Sequence, residues 1–344
     1  MPNMFEPKYT ISAKLLQNIK RITEIITDLN NRRFSEIVLA RFEKEARGVS
    51  AFASTSIEGN PLPLTDVKKI LKSKPENVRD SEQEVLNYNQ ALTELNKLIK
   101  SKKISFNLSL ISEIQGIIIN KLIEKHRLGK IRGEPVFVND PRAGKTIYWP
   151  PDYKDVSILL TDLIEYTNSN RNKIDPLILA GIFHKQFVII HPFMDGNGRT
   201  VRLLTKILLA DLGLNTFNLF SFENYYNKNI TKYFAEVGVL GNYYEIKDSI
   251  NFTAWLEYFT DGIIDELLRV KKELEKENIS PREELKDYHQ EILDYIKKHG
   301  YITDKDYAKL TKRARPTRNL DFRKLINLGL IKKLGRGKAT YYKF

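Results

Sequence analysis

The apolar positions of this chain fall mostly at helical spacing. Leu15, Ile19, Ile22, Ile25, Ile26 and Leu29 share one helical face and predict a helix over 12–30. A second helix is predicted over 34–57. It stops at Glu58-Gly59-Asn60-Pro61-Leu62-Pro63, where a glycine and two prolines break the pattern. Thr65-Asp66 caps a short helix, and 80–98 and 108–123 read as two further amphipathic helices. The texture then changes. Val136-Phe137-Val138 and Thr146-Ile147-Tyr148 are β-prone pieces around turn residues 139–144, which predicts a hairpin within 132–148 closed by Trp149-Pro150-Pro151. Helical spacing returns over 156–168, 175–190 and 197–212, and a long charged helix is expected over 251–278.

The C-terminal stretch, beyond Ser280-Pro281, has its own pattern. Helices are expected over 288–299 (closed by Gly300), 303–310 (capped by Thr303-Asp304) and 317–328 (closed by Gly329). A strand at 330–334, a turn at 335–338 and a strand at 339–342 complete it. Three helices and a terminal hairpin are the layout of a winged helix-turn-helix module. The chain therefore reads as mainly α, in three parts: an N-terminal helical region over 1–107, a helical core with a β-hairpin over 108–279, and the winged module over 280–344.

Composition narrows the chemistry. At 344 residues the chain has room for two or three packed domains. No apolar run approaches the ~20 residues of a membrane span, so no membrane contact and a cytoplasmic location are expected. Cysteine is absent, which excludes disulfides, thiolate metal sites and a cysteine nucleophile from this sequence. Of the net charge of +13, residues 281–344 hold +9, from 17 Lys and Arg against 8 Asp and Glu. Charge concentrated in one small module points to nucleic acid, against the plainer alternative of a solvated basic surface or a protein-docking face. In that reading Thr317-Arg318-Asn319-Leu320 opens the recognition helix, and Arg313, Arg315 and Arg323 are available to phosphates.

The densest chemistry lies in His191-Pro192-Phe193-Met194-Asp195-Gly196-Asn197-Gly198-Arg199, followed by Arg202. A buried helix delivers His191 at its C-terminal end. Gly196 and Gly198 let the backbone turn sharply and approach a ligand without a Cβ in the way. A new helix opens at Asn197, and its first N–H groups form a phosphate cradle. Arg199 and Arg202 are three residues apart on one helical face, and two guanidiniums there suit a polyphosphate. Asp195 is the carboxylate beside this basic nest, where it can hold Mg²⁺. His191, with an ordinary pKa near ~6.5, suits a general base. His184 shares the preceding helix and reads as a core or supporting histidine.

The string matches the signature His-x-Phe-x-(Asp/Glu)-Gly-Asn-Gly-Arg-x-x-Arg at every fixed position, so the chain resembles the Fic family. That resemblance implies a protein adenylyltransferase moving AMP from ATP, with Mg²⁺, onto a hydroxyl of a target protein or of the chain itself. His191 would activate the hydroxyl, Asp195 bind Mg²⁺, and Gly196, Asn197, Gly198, Arg199 and Arg202 hold the phosphates, with Phe193 anchoring the loop. Homodimers are common among such chains. Ser54-Thr55-Ser56-Ile57-Glu58-Gly59 is similar to the family's inhibitory motif, (Ser/Thr)-x-x-x-Glu-(Gly/Asn), at Ser54, Glu58 and Gly59. A carboxylate there would compete with phosphate for the Arg202 fork, or position a water that removes AMP. The hairpin resembles the family's flap, with Ile147 and Tyr148 as contacts to an extended target. Tyr233 and Phe234, and less directly Tyr225, Tyr226 and Asn229, fall where relatives hold adenosine. The alternatives are transfer of another phosphate-containing group, although the phosphotransferase branch carries Lys where this chain has Gly198, and a winged-helix DNA-binding regulator with a nucleotide-sensing core.

Overall fold

In the computed structural model, which describes residues 5–32, 34, 36–101, 104–139, 144–279, 285–327, 330–335 and 337–344, the predicted helices form with shifted ends. Helix α1 (Ala13–Asn30) starts where the Ser12 hydroxyl accepts the Leu15 N–H, and it buries Leu15, Ile22, Ile25, Ile26 and Leu29. Helix α2 (Glu36–Ile57) ends at the expected stop: Gly59 takes φ 94°, and the Asn60 N–H reaches back to the Thr55 carbonyl at 3.1 Å. Helices α3 (Leu64–Lys72) and α4 (Asp80–Ser101) follow. Helix α5 (Leu108–Ile118) stops short of the predicted 123. Lys121 turns there with φ 65°, and Asn87 of α4 claims the carbonyls of Ile118 and Asn120 at 3.0 and 2.7 Å.

The hairpin is shorter than its sequence pattern. Strand β1 (Val138–Asn139) pairs antiparallel with β2 (Thr146–Trp149), while Val136 and Phe137 stay outside it. Its predicted turn residues 140–143 lie outside the described residues. Helices α6 (Tyr153–Asn170), α7 (Pro176–Ile190) and α8 (Asn197–Leu209) come next. Asp175 caps α7 and Pro176 opens it. Side chains on every side of α7 are buried, as expected for a helix surrounded by others.

Short elements absent from the sequence reading then complete this region: α9 (Glu223–Lys228), α10 (Ile230–Val237), β3 (Gly241–Asn242) and α11 (Tyr243–Ile246). Each is too brief to display a period. β3 adds a parallel strand to β2, giving the order β1-β2-β3. Helix α12 (Thr253–Ile279) packs on α7, where Trp255 Nε1 donates to the Gly181 carbonyl at 2.8 Å. A Cβ at Gly181 would lie 2.5 Å from Leu256 Cδ2, so glycine sets this close approach.

The chain divides into two compact units, residues 1–32 with 46–271 and residues 33–45 with 272–344. In the second, α13 (Asp287–His299), α14 (Asp304–Leu310) and α15 (Arg315–Asn327) precede the antiparallel strands β4 (Lys332–Leu334) and β5 (Tyr341–Lys343). Gly300 closes α13 at φ 84° and Thr303 caps α14, as their sequences predict. The expected boundary at Ser280-Pro281 and the closing Gly329 lie outside the described residues. Ile292, Ile296, Ile302, Tyr307, Phe322, Leu325, Ile331 and Tyr342 form this unit's own core. Ile302 also bridges to Tyr342 beside the hairpin. No helix among the described residues is long and apolar enough to cross a membrane.

Candidate active site

The loop between α7 and α8 is held in one shape from several directions. His191 leaves α7 in the left-handed region, at φ 51° and ψ 60°, which swings the chain off the helix axis. Such a conformation costs a non-glycine residue about 1–3 kcal/mol and persists only where the surroundings fix it. Here the fixing groups are identifiable. Phe193 is fully buried against Phe187. The Asn197 side chain accepts the Phe193 N–H at 2.9 Å and donates to the Phe193 carbonyl at 2.8 Å. Arg132 Nε donates to the His191 carbonyl at 2.8 Å, and the Arg132 N–H donates to the Pro192 carbonyl at 2.9 Å. Gln115 of α5 donates to the Asp195 carbonyl at 3.1 Å.

Burial pushes the His191 pKa down to about 4. The Arg132 charge acts in the same direction, while the Val188 carbonyl, Glu58 and Asp195 oppose it. The imidazole is therefore neutral near pH 7 and able to take a proton. Asp195 is half exposed. Its Oδ1 accepts the Gly196 N–H at 2.5 Å and Arg199 at 3.0 Å, and Oδ2 carries no bond among the described residues. One carboxylate oxygen open beside a phosphate cradle fits Mg²⁺, which takes few protein ligands and completes its shell with phosphate and water. No group of three or more His, Cys, Asp or Glu forms a separate metal cluster among the described residues.

Gly196 takes φ 78°, and a Cβ there would meet Ile119 Cγ2 at 2.8 Å. Left-handed strain and overpacking both oppose alanine at this position. Gly196→Ala is expected to lower stability by about 2–4 kcal/mol, read as a lower urea midpoint. An unchanged midpoint contradicts the stated packing.

Both loop arginines are buried and paired. Arg202 Nε donates to Ser54 Oγ at 2.8 Å, and one terminal nitrogen donates to the Ser54 carbonyl at 2.8 Å and to Glu58 Oε1 at 2.7 Å. Burial alone would lower the Arg202 pKa, but Glu58 and its other neighbours outweigh it and hold the guanidinium above its ordinary value. The Glu58 carboxylate lies over Gly198, where any Cβ would overlap it. Ser54 and Glu58 thus meet Arg202 as their four-residue spacing anticipates, and the positive φ of Gly59 ends the helix just beyond them. Arg199 pairs with Glu84 of α4 as well as Asp195, and Glu84 in turn accepts Asn60 Nδ2 at 2.6 Å.

Other expected contacts are placed differently. The Asn197 carboxamide is spent on the Phe193 main chain, so a phosphate contact from this residue falls to its N–H. Tyr148 points into the core and donates to the Ile189 carbonyl at 2.8 Å, so its ring does not face a target segment. Ile147 is half-buried, and β3 covers β2 only from Tyr148 onward. Tyr233 is buried, its hydroxyl 3.0 Å from His184 Nε2 and 3.5 Å from Arg202, whereas Phe234 is exposed. Tyr226 stacks on Tyr233 inside the core, and Tyr225 packs on Tyr226 and Tyr258. Asn229 caps α10 by accepting the Lys232 N–H at 3.0 Å. His184, as expected, is a core residue between Thr205 and Tyr233, kept neutral by burial. In the second unit Arg313 is committed to Asp321 and Arg318 to Asp304. Arg315 and Arg323 are exposed, with Arg315 Nε 3.6 Å from Asp304.

Residues 105–209 match the Fic/DOC family model. The chain is 29% identical over 220 residues to a protein named protein adenylyltransferase Fic from Aedes aegypti, a match covering 58% of this chain and 42% of that protein. It is 30% identical over 213 residues to protein adenylyltransferase fic-1 from Caenorhabditis briggsae, covering 56% and 38%. It thus spans less than half the length of these curated relatives. Among solved structures, a Fic family protein from Desulfovibrio desulfuricans G20 superposes with a TM-score of 0.66 at 20% identity, over 99% of this chain and 98% of that one. Fic-1 from C. elegans superposes at 0.60 and 21%, over 77% and 74%. The fold is therefore that of Fic proteins, and the chain carries a Fic/DOC family domain that contains the whole loop from His191 to Arg202.

Proposed function

We propose that the chain is an autoinhibited protein adenylyltransferase, transferring AMP from ATP to a hydroxyl of a target protein or of the chain itself. The observation that carries this reading is the pairing of Arg202 with Glu58 beside a neutral His191. In the reaction, the His191 imidazole takes the proton of the attacking hydroxyl. The hydroxyl oxygen forms a bond to the α-phosphorus, the bond to the β-phosphate oxygen breaks, and pyrophosphate leaves. The main-chain N–H groups at the start of α8 and the Arg199 and Arg202 guanidiniums bind the phosphates. Asp195 would hold Mg²⁺, which neutralises phosphate charge when bound. Glu58 occupies Arg202 and keeps the resting site closed to the γ-phosphate. The edge of β2 that β3 leaves unpaired at Thr146 and Ile147 supports docking of an extended target segment by strand addition. Label from α-labelled ATP, and not from γ-labelled ATP, should become protein-bound when Glu58 is replaced by glycine. Label from γ-labelled ATP alone would instead indicate phosphotransfer.

The second unit is read as a winged helix. Its three helices, terminal hairpin and exposed Arg315 and Arg323 favour nucleic-acid contact as an additional property. Binding of the chain to random duplex DNA should weaken steeply as salt rises, and Arg315→Ala with Arg323→Ala should reduce the log–log salt slope by about 2. No binding at low salt removes this reading.

A further inference from the structure

Helix α2 meets α8 along more than the inhibitory motif. Ser50, Ser54 and Glu58 recur every four residues, so Ser50 and Ser54 share one face of α2 and Glu58 follows on that side just past its end. Lys206, Arg202 and Gly198 recur at the same spacing on α8. The two series meet in opposite order: Glu58 over Gly198, Ser54 on Arg202, and Ser50 toward Lys206. The last rung is bridged by Glu223 of α9, a fully buried carboxylate. Glu223 Oε1 accepts the Ser50 hydroxyl at 2.9 Å and the Tyr88 hydroxyl at 2.7 Å. Glu223 Oε2 lies 3.2 Å from Lys206 Nζ and accepts the Ser221 hydroxyl at 3.3 Å.

This hub lies two helical turns from Glu58 along α2, and none of its residues belongs to the loop or to the inhibitory motif. A buried carboxylate with four polar partners is expensive to leave unsatisfied, so it fixes the elements that supply those partners. Three of them come from α2, α4 and α8, the helices that carry Glu58, Glu84 and the two loop arginines.

We propose that Glu223 is a positioning residue for the inhibitory helix: by accepting the Ser50 hydroxyl it holds α2 in the register that delivers Glu58 to Arg202. Loosening α2 at this rung, away from the nucleotide site, releases the enzyme. The inference rests on the adenylyltransferase reading for its activity readout, and on the geometry alone for its structural one.

Ser50→Ala in the full chain tests it, with Tyr88→Phe as a second variant that keeps the ring and removes only the hydroxyl. Loss of one buried hydrogen bond corresponds to about a fivefold shift in the released population. AMP transfer should rise by about that factor over wild type, while Ser50→Ala added to Glu58→Gly should change nothing. Amide exchange at residues 54–58 should quicken by a similar factor, with α7 unchanged. Wild-type exchange at 54–58 in both variants overturns the proposal whatever the activity, and so does equal loss of activity with and without Glu58. A silent Glu58→Gly chain in which exchange still quickens counts against the adenylyltransferase reading alone.

Discussion

Replacing Glu58 with glycine is expected to raise AMP transfer roughly ten- to a hundredfold. The size follows from the contact that is lost. Glu58 makes a charge-assisted bond of 2.7 Å to a guanidinium with no exposed surface, and such bonds contribute about 1.5–3 kcal/mol. A phosphate entering the site must displace that carboxylate before Arg202 can serve it. Without Glu58, Arg202 is a buried cation lacking a carboxylate, which adds to its affinity for phosphate. The substitution falls at the end of α2, next to Gly59, so it removes a carboxylate without opening the core. Initial rates of label incorporation from α-labelled ATP measure the change. Equal rates in the variant and the wild type would show that the pair does not restrain the site.

In the same activated background, His191→Ala should lower transfer by about 10²- to 10⁴-fold, the range for loss of a general base. ATP affinity should be nearly unchanged, since the imidazole is assigned to the hydroxyl and not to the phosphates. The pH profile carries a second check. The His191 pKa is depressed to about 4, so the base is neutral, and competent, above that value. Activity should be level from about pH 6 to 8 and fall as the pH drops through about 4, when the imidazole takes a proton. Removal of Glu58 takes away one contribution that raises this pKa, which moves the fall lower still. An inflection near the ordinary histidine value would contradict the burial argument.

The loop was legible in the sequence because its chemistry is contiguous. Its residues lie in one window, and the glycines and the helix start declare the backbone geometry. Ser54 and Glu58 were legible for a related reason, since a four-residue spacing at a helix end places both on one side. Arg132, Gln115, Glu84 and Glu223 were not, because their partners lie far away in the chain and nothing local requires them. Gln115 and Glu84 did leave a trace. Gln115 interrupts the apolar stripe of Ile111, Ile114 and Ile118, and Glu84 lies one turn from the buried Tyr88, so each is a polar residue on a face otherwise spent on packing. The short helices after Leu219 and strand β3 were illegible because a few residues cannot show a period. The inward ring of Tyr148 followed from the same gap, since β3 makes β2 an internal strand at that residue. Asn197 shows the opposite limit: its position in the motif was plain, but its use in closing the loop on Phe193 depends on a fold that spacing does not encode.

Intact-mass measurement after incubation with Mg-ATP distinguishes AMP transfer from phosphotransfer, using the Glu58→Gly chain with and without His191→Ala. A mass increase of one AMP is expected on the Glu58→Gly chain or on a supplied target, and none once His191 is also replaced. An increase of one phosphate, or an AMP adduct that survives loss of His191, would contradict the adenylyltransferase reading.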